Sequence, residues 1–284
     1  MNSPHTPHIS HSPFSPPACT GGEARLDGWQ LAWAQIAGSG HAVLEDRLAH
    51  RAVHFRGDRC PALFCALADG VGSGARGDVA AEALVDYSLA LHGADYLRPA
   101  AVLSHMLGAE ACVQEALREV SFAPGAATLA AAWLGSDGCG LIQRVGDCRL
   151  YRLGTARIER LTDDQTYAQS GETPPEGSAP DDLAHMVGTG YMGTPQLQPI
   201  ALAVDSHLLL CSDGLHRGLA DQELHAVFYG ALAGADDRLS AAVARELCLA
   251  ARCAGSQDDI SALVARRLPP PAGFWHRLGD RLAG

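Results

Sequence analysis

Three aspartates lie at the ends of apolar segments, where a carboxylate could face a cleft. Asp69 follows FCALA, Asp213 follows LLLCS, and Asp258 directly precedes DISALVARRL. A carboxylate is costly inside an apolar strand, so at the end of a strand we expect it to point into a cleft. Carboxylates that meet in this way form an all-oxygen site suited to Mg²⁺ or Mn²⁺. A single Asp-Gly pair more often marks only a turn, so the prediction depends on the three aspartates together.

The absence of lysine excludes several other kinds of chemistry. All 21 residues in the Lys-plus-Arg count are arginine. P-loop proteins, protein kinases and Schiff-base enzymes each need a lysine. The net charge of −11 argues against nucleic acid as a partner, because no basic surface would neutralise its phosphates. Any phosphate site in this chain therefore needs a local arginine or a metal ion.

The nine cysteines indicate neither a disulfide framework nor a zinc site. Their number is odd and no pair has CxxC spacing. The start of the chain lacks a basic patch followed by an apolar segment, and no apolar stretch approaches the ~20 residues that span a bilayer. We therefore expect no membrane insertion and a cytoplasmic location.

The apolar pattern predicts clusters of strands separated by pairs of helices. Strands are predicted at 29–37, 61–70, 127–135, 140–154, 156–162, 207–215 and 259–268. Helices are predicted at 78–92, 98–120, 220–231 and 236–254. Strand clusters with hairpin links indicate an α+β layered fold rather than a parallel βαβ sheet.

Three regions of the chain differ in composition. Residues 1–24 are rich in Pro, Ser and His and should form a disordered segment, residues 25–268 should form the domain, and residues 269–284 should form a C-terminal tail. Within the domain, residues 163–200 contain much Pro, Gly and Asp, which is typical of a functional or mobile insert. The apolar residues of the tail have near-helical spacing, and we expect a short capping helix rather than a membrane anchor.

Six segments, in order, resemble motifs of the protein phosphatase 2C family of metal-dependent phosphatases. They are ALADGVGSGARGDVAAEAL (66–84), GAATLAAAWL (125–134), RVGDCRLYRL (144–153), LTDDQTY (161–167), LLLCSDGL (208–215) and SQDDISALV (256–264). The segment LEDRLAH (44–50) is similar to the family's early Asn-Glu-Asp element. The resemblance covers about residues 29–267 and implies a four-layer α-β-β-α sandwich of two mainly antiparallel sheets flanked by helices.

The resemblance also implies the metal site and the reaction. Two Mn²⁺ or Mg²⁺ ions would be held by Asp46, Asp69, the Gly70 carbonyl, Asp213 and Asp258, with Glu45 in an outer position. A hydroxide bridging the two ions would then attack the phosphorus of phosphoserine or phosphothreonine, and no protein nucleophile would be required.

The chain departs from the family pattern at three positions near this site. His41 stands where the family usually has an arginine that grips the substrate phosphate, and Val71 stands where some members have a histidine. Arg217 replaces a carboxylate that often serves a third ion, and because arginine cannot ligate a metal, this argues against a third ion through Asp147. His41 and Arg217 are therefore the candidates for contact with the substrate phosphate.

The resulting prediction is a serine/threonine protein phosphatase that acts on a phosphorylated protein and opposes a serine/threonine kinase in bacterial signalling. The stretches QTYAQSGETPP and HMVGTGYMG most resemble bacterial phosphatases that reverse kinase control of a type VI secretion apparatus. The departures at His41 and Arg217 leave open a catalytically weak regulatory binding module of the same fold. A metal-binding hydrolase of a small phosphate ester is a third interpretation.

Overall fold

Strands from the whole length of the domain form two antiparallel sheets. The computed structural model of the chain describes residues 18–26, 28–40, 43–54, 61–71, 76–91, 93–120, 124–190 and 192–269. Within these ranges the strands are β1 (Cys19–Leu26), β2 (Trp29–Ile36), β3 (Arg47–Val53), β4 (Ala62–Val71), β5 (Ala126–Leu134), β6 (Cys139–Val145), β7 (Arg149–Leu153), β8 (Ile158–Arg160), β9 (Gln196–Ala201), β10 (His207–Cys211) and β11 (Ile260–Arg267).

The helices flank the sheets in chain order. They are α1 (Gly77–Leu89), α2 (Pro99–Leu107), α3 (Ala109–Val120), α4 (Tyr167–Ser170), α5 (Asp213–His216), α6 (Asp221–Gly234) and α7 (Ala241–Cys253), with a 3₁₀ turn at Gly93–Leu97. None of the described helices is long and apolar enough to cross a membrane.

Each strand pairs with neighbours that run in the opposite direction. One sheet has six strands in the order β1-β2-β11-β10-β7-β8, and the other has five in the order β3-β4-β5-β6-β9. Every pairing between these strands is antiparallel. Helices α1, α2 and α3 cover the five-stranded sheet, and α6 and α7 cover the six-stranded sheet. A third apolar layer lies between the sheets. The predicted four-layer α-β-β-α sandwich is confirmed.

The alternation of side chains along β4 explains how this sandwich positions an acidic residue. Phe64 and Ala66 pack toward the helices, whereas Leu63, Cys65 and Leu67 pack between the sheets. Successive side chains of a strand point to opposite faces, so Asp69 continues the row that lies between the sheets. The apolar inter-sheet layer therefore ends in a carboxylate at this edge of the sandwich.

The predicted helix over 98–120 is wrong, because two helices meet at Gly108. The chain turns there between α2 and α3, and the Gly108 N–H donates to the His105 carbonyl at 3.0 Å. A Cβ atom at this position would lie 2.2 Å from the Tyr87 hydroxyl, so the close approach of α1 requires a residue without a side chain.

The predicted single strand over 140–154 is also wrong. It divides into β6, in the five-stranded sheet, and β7, in the six-stranded sheet. Gly146, between them, has a φ of +92°, and a Cβ atom there would lie 2.4 Å from Thr128 Cγ2. A left-handed residue bends the chain from one sheet to the other, which a continuous apolar pattern does not reveal.

Two other boundaries differ from the predictions. Residues 19–24 belong to β1 and were wrongly included in a disordered segment, because an edge strand with half-exposed side chains is held by backbone pairing with β2 rather than by apolar burial. The strand predicted over 207–215 ends at Cys211, and the chain turns into α5. Residues 1–17 and the tail from 270 lie outside the described ranges.

The insert at 163–200 is largely irregular, as predicted, but it is tied to the sheet. Ala127 and Val187 exchange two backbone hydrogen bonds of 2.9 Å, and β9 begins at Gln196. Gly188 N and Gly190 N donate to the Glu110 carboxylate of α3 at 2.7 and 2.5 Å. The far end of the insert is thus attached both to β5 and to the helical layer.

We predict that Gly146→Ala lowers the free energy of unfolding by about 1–3 kcal/mol, because the new Cβ atom meets Thr128 and the left-handed φ is strained. Chemical denaturation measures the change. Gly230→Ala in α6 is the matched control, since a Cβ atom there meets nothing within 4 Å and alanine is the better helix former. Equal stability of the two variants would contradict the role given to Gly146.

Candidate active site

The strand ends that carry the predicted aspartates surround one cleft. Its volume is about 1300 Å³. The predicted residues that line it are Glu45, Asp69, Gly70, Asp213, Asp258 and Arg217. They come from the loop before β3, the end of β4, the start of α5 and the residues before β11. The fold therefore brings together positions that are up to 213 residues apart in the sequence.

Asp46 lies buried beside the cleft rather than on its surface. Its side chain is fully buried, and neither carboxylate oxygen has a hydrogen-bond partner. Burial, together with the charges of Asp259 and Asp213, raises the pKa of Asp46 to about 7. A buried carboxylate with two unpaired oxygens is costly, so the fold leaves a place that a cation would stabilise.

The carboxyl groups of Asp69 and Asp213 also have raised pKa values, although Arg217 partly offsets the charge of Asp213. Burial is the main reason why the pKa of Asp69 lies well above its usual range. The charges of Asp46, Asp213 and further aspartates also raise it. Burial likewise raises the pKa of Asp213, and its Oδ1 atom is buried without a hydrogen-bond partner. Like charges gathered in a poorly hydrated place disfavour ionisation of each group unless a cation is present.

The donor set fits a hard divalent cation. The residues around the cleft offer carboxylate oxygens and the Gly70 carbonyl, which are the ligands that Mg²⁺ and Mn²⁺ prefer. Among the described residues, no three His, Cys, Asp or Glu side chains are grouped closely enough to hold a metal ion by themselves. The carboxylates surround the cleft from several sides, and the buried oxygens of Asp46 and Asp213 without hydrogen-bond partners are chemically suited to contact with a cation.

Asp259 organises the loop that carries Glu45 and Asp46, a role that the sequence did not reveal. Its Oδ1 accepts from Gly38 N and its Oδ2 accepts from Glu45 N, both at 2.5 Å. Its own N–H donates to Asp258 Oδ1 at 2.8 Å. The sequence shows only that a second acidic residue follows Asp258. Such a residue is as typical of a solvent-exposed charge at the end of a strand as of a side chain that binds a neighbouring loop.

Arg217 lies at the rim of the acidic cluster. Its Nη1 atom is 2.9 Å from Asp213 Oδ2, and its Nη2 atom is 3.0 Å from Asp147 Oδ2. Asp147 is buried, and burial together with the Asp213 charge raises its pKa to about 7. His216 Nε2 donates to the Asp147 carbonyl at 2.9 Å, and burial lowers the pKa of His216 to about 4, so this ring is neutral.

The outer walls of the cleft hold two further arginines, each bound to an aspartate. Arg149 donates to both oxygens of Asp164 at 2.8 and 2.7 Å, and Arg76 donates to both oxygens of Asp78 at 3.0 and 3.2 Å. Each fork-shaped pair uses two of the five N–H donors of its guanidinium group. Both arginines line the cleft, and each is held in place by its aspartate.

The sequence differs from the expected motif pattern at Val71, His41 and Arg217, and the structure describes two of these three positions. Val71 lines the cleft next to Gly70. His41 lies outside the described residues, so its contact with a substrate phosphate stays a prediction. The same contact by Arg217 also stays a prediction, since its side chain is 59% exposed and lines the cleft although its terminal nitrogens are paired.

Comparison with known proteins agrees with this geometry. Residues 40–247 match the family model described as "Protein phosphatase 2C". The serine/threonine phosphatase PstP/Ppp of Mycobacterium tuberculosis is 22% identical, with a TM-score of 0.67 over 85% of this chain and 99% of that one. No curated protein sequence matches the chain closely.

Two further solved structures share the fold. The catalytic domain of PstP in complex with 2 manganese ions is 22% identical, with a TM-score of 0.65 over 85% of this chain and 99% of that one. PppA, a key regulatory component of T6SS in Pseudomonas aeruginosa, is 24% identical, with a TM-score of 0.62 over 86% of this chain and 99% of that one.

The raised pKa of Asp46 predicts how the metal-free protein responds to pH. Because the folded-state pKa of about 7 lies above the usual value, ionisation of Asp46 opposes folding, and this unfavourable contribution is absent at low pH and grows as pH rises toward and through 7. In chelator at pH 8, Asp46→Asn should therefore be more stable than the unsubstituted protein by about 1–3 kcal/mol. Urea titrations at several pH values measure this.

Asp205→Asn, an exposed position in the turn before β10, is the control and should leave the pH profile unchanged. Identical profiles for the Asp46 variant and the unsubstituted protein would show that the Asp46 carboxyl carries no unfavourable charge.

Proposed function

The chain belongs to the protein phosphatase 2C family and is a phosphoprotein phosphatase, and we propose that it hydrolyses phosphoserine and phosphothreonine with two divalent ions bound in the cleft. The observation that carries the proposal is the set of buried carboxylate oxygens without partners at Asp46 and Asp213. Such a set is unfavourable in the absence of cations, and a pair of divalent ions would both offset it and supply chemistry for phosphoester hydrolysis.

The residues that would hold Mn²⁺ or Mg²⁺ are those at the strand ends. Asp69, whose carboxyl group feels the charges of the other aspartates, would hold the ions together with the neighbouring Gly70 carbonyl. Asp213 and Asp258 approach from the six-stranded sheet, and Asp46, with Glu45 in an outer position, approaches from the loop before β3. When bound, the two ions would supply activation of water and neutralisation of the phosphate charge.

The protein contributes the positions of the ligands. Asp69 and Asp213 are fixed by strands that are buried on both faces, and Asp259 fixes the loop of Asp46 through two backbone hydrogen bonds. Ligands on rigid elements keep the geometry that an in-line attack needs. For the substrate phosphate, the candidates remain His41 and Arg217.

The biological setting is proposed from the insert and from one structural neighbour. PppA regulates T6SS in Pseudomonas aeruginosa, and two stretches of the insert resemble phosphatases of such a system. We infer that the substrate is a phosphorylated protein and that the enzyme opposes a serine/threonine kinase. No structural observation favours the regulatory binding module, which would not need buried carboxylates without partners.

We predict that Asp69→Asn and Asp213→Asn each reduce turnover of a phosphothreonine peptide by more than about 100-fold, since even outer-shell changes at metal sites cost 10–100-fold. Both variants should stay folded, because an amide fits the same space without adding charge. Titration calorimetry with Mn²⁺ should show weakened binding in each variant.

Asp163→Asn is the matched control, since that aspartate is 81% exposed and, among the described residues, forms an ion pair with Arg160 at 3.4 Å. It should keep full activity and Mn²⁺ affinity. Unchanged turnover and Mn²⁺ affinity in the Asp69 and Asp213 variants would refute the site. An unsubstituted protein that binds Mn²⁺ but releases no phosphate would favour the binding module.

A further inference from the structure

Arg217 joins two aspartates that come from different parts of the fold. Asp213 lies four residues earlier, at the start of α5, and Asp147 lies in the turn that connects the two sheets between β6 and β7. One terminal nitrogen of the guanidinium group contacts Asp213 Oδ2 at 2.9 Å, and the other contacts Asp147 Oδ2 at 3.0 Å. A single side chain thus holds one oxygen of each carboxylate.

Both aspartates need a positive charge. The side chain of Asp147 is 3% exposed and that of Asp213 is 10% exposed. Within the described residues, Arg217 is the cation that makes an ion pair with either of them. Two carboxylates buried side by side repel each other, and removing the shared cation would leave both charges without compensation.

The geometry suits arginine in particular. A planar guanidinium group presents two terminal nitrogens in a fixed fork, which can reach two carboxylates at once, whereas an ammonium group is a single point charge. The spacing of four residues places Arg217 on the same side of the helical turn as Asp213. Its side chain is 59% exposed, so it enters the cluster from the solvent side of the cleft, along the route that a hydrated ion would take.

We propose that the Arg217 guanidinium occupies a cation position of the acidic cluster, so that the protein carries one of its cations as a side chain. The proposal rests on the proposed function, in which divalent ions occupy the remaining positions around Asp69. Residue 217 then sets how many ions the cleft takes up. A tethered cation does not dissociate, so the charge of Asp147 and Asp213 is offset at any free metal concentration.

The first test counts bound ions in three variants by equilibrium dialysis against Mn²⁺ followed by metal analysis. Arg217→Met keeps the length of the side chain and removes its charge, and should bind one more ion per chain than the unsubstituted protein, with weaker affinity in the millimolar range. Arg217→Lys keeps a charge and should bind the unsubstituted number. Arg118→Met, which removes an exposed arginine that pairs with Glu115 at 3.1 Å on α3, is the matched control and should also leave the count unchanged.

The second test measures the melting temperature in chelator, where no divalent ion contributes. Arg217→Met should lower Tm by about 2–4 °C relative to the unsubstituted protein and the Arg118 control, and saturating Mn²⁺ should remove the difference. The Tm of Arg217→Lys should lie between those of Arg217→Met and the unsubstituted protein. This variant remains informative if the methionine variant does not fold.

The outcomes separate this proposal from the proposed function. An Arg217→Met protein that binds the same number of ions as the unsubstituted protein overturns the proposal, whatever its stability, and so does a lysine variant that takes up the additional ion. If the unsubstituted protein binds no Mn²⁺, the proposed function fails. In that case an unchanged Tm of Arg217→Met in chelator still overturns the role of Arg217, and a lowered Tm supports it.

Discussion

Repulsion among buried carboxylates is the constraint on which the active cleft depends. Asp46 is fully withdrawn from water and Asp69 is partly buried, with Asp213 and Asp147 close by, and three oxygens of Asp46 and Asp213 have no hydrogen-bond partner. Two like charges 4 Å apart repel by roughly 4 kcal/mol at the effective dielectric constant of a protein surface. An arrangement of this kind persists only if the rest of the fold holds it and if cations offset it.

The fold holds the cluster through the layers on either side of it. The strands that end at the cleft are buried on both faces, by helices on one side and by the other sheet on the opposite side. Close packing of these layers keeps the carboxylates from moving apart. Asp259 adds a local clamp, since it binds the backbone of the loop that carries Asp46 and donates to Asp258. Arg217 then offsets the charge on the side where Asp147 and Asp213 meet.

Much of this arrangement could be predicted from the sequence, because an aspartate next to an apolar segment indicates both a strand and the end of that strand that carries the functional group. Asp69, Asp213 and Asp258 were found in that way, and the ordered motifs supplied the fold. The bend at Gly146 was missed because one apolar pattern runs through two strands of different sheets. Strand β1 was missed because an edge strand needs few buried side chains. The contacts of Asp259 with Gly38 and Glu45 and of Arg217 with Asp147 join residues far apart in the chain, and spacing alone could not reveal them.

The most direct test of a cation site in the cleft is an anomalous difference map from crystals of the protein grown with Mn²⁺ and measured near the manganese absorption edge. We expect two peaks in the cleft, both within ligand distance of Asp69. We expect no peak between Asp147 and Asp213, where the guanidinium group of Arg217 lies. Manganese peaks only outside the cleft, or a cleft without any peak at saturating Mn²⁺, would contradict the claim that cations hold the buried carboxylates together.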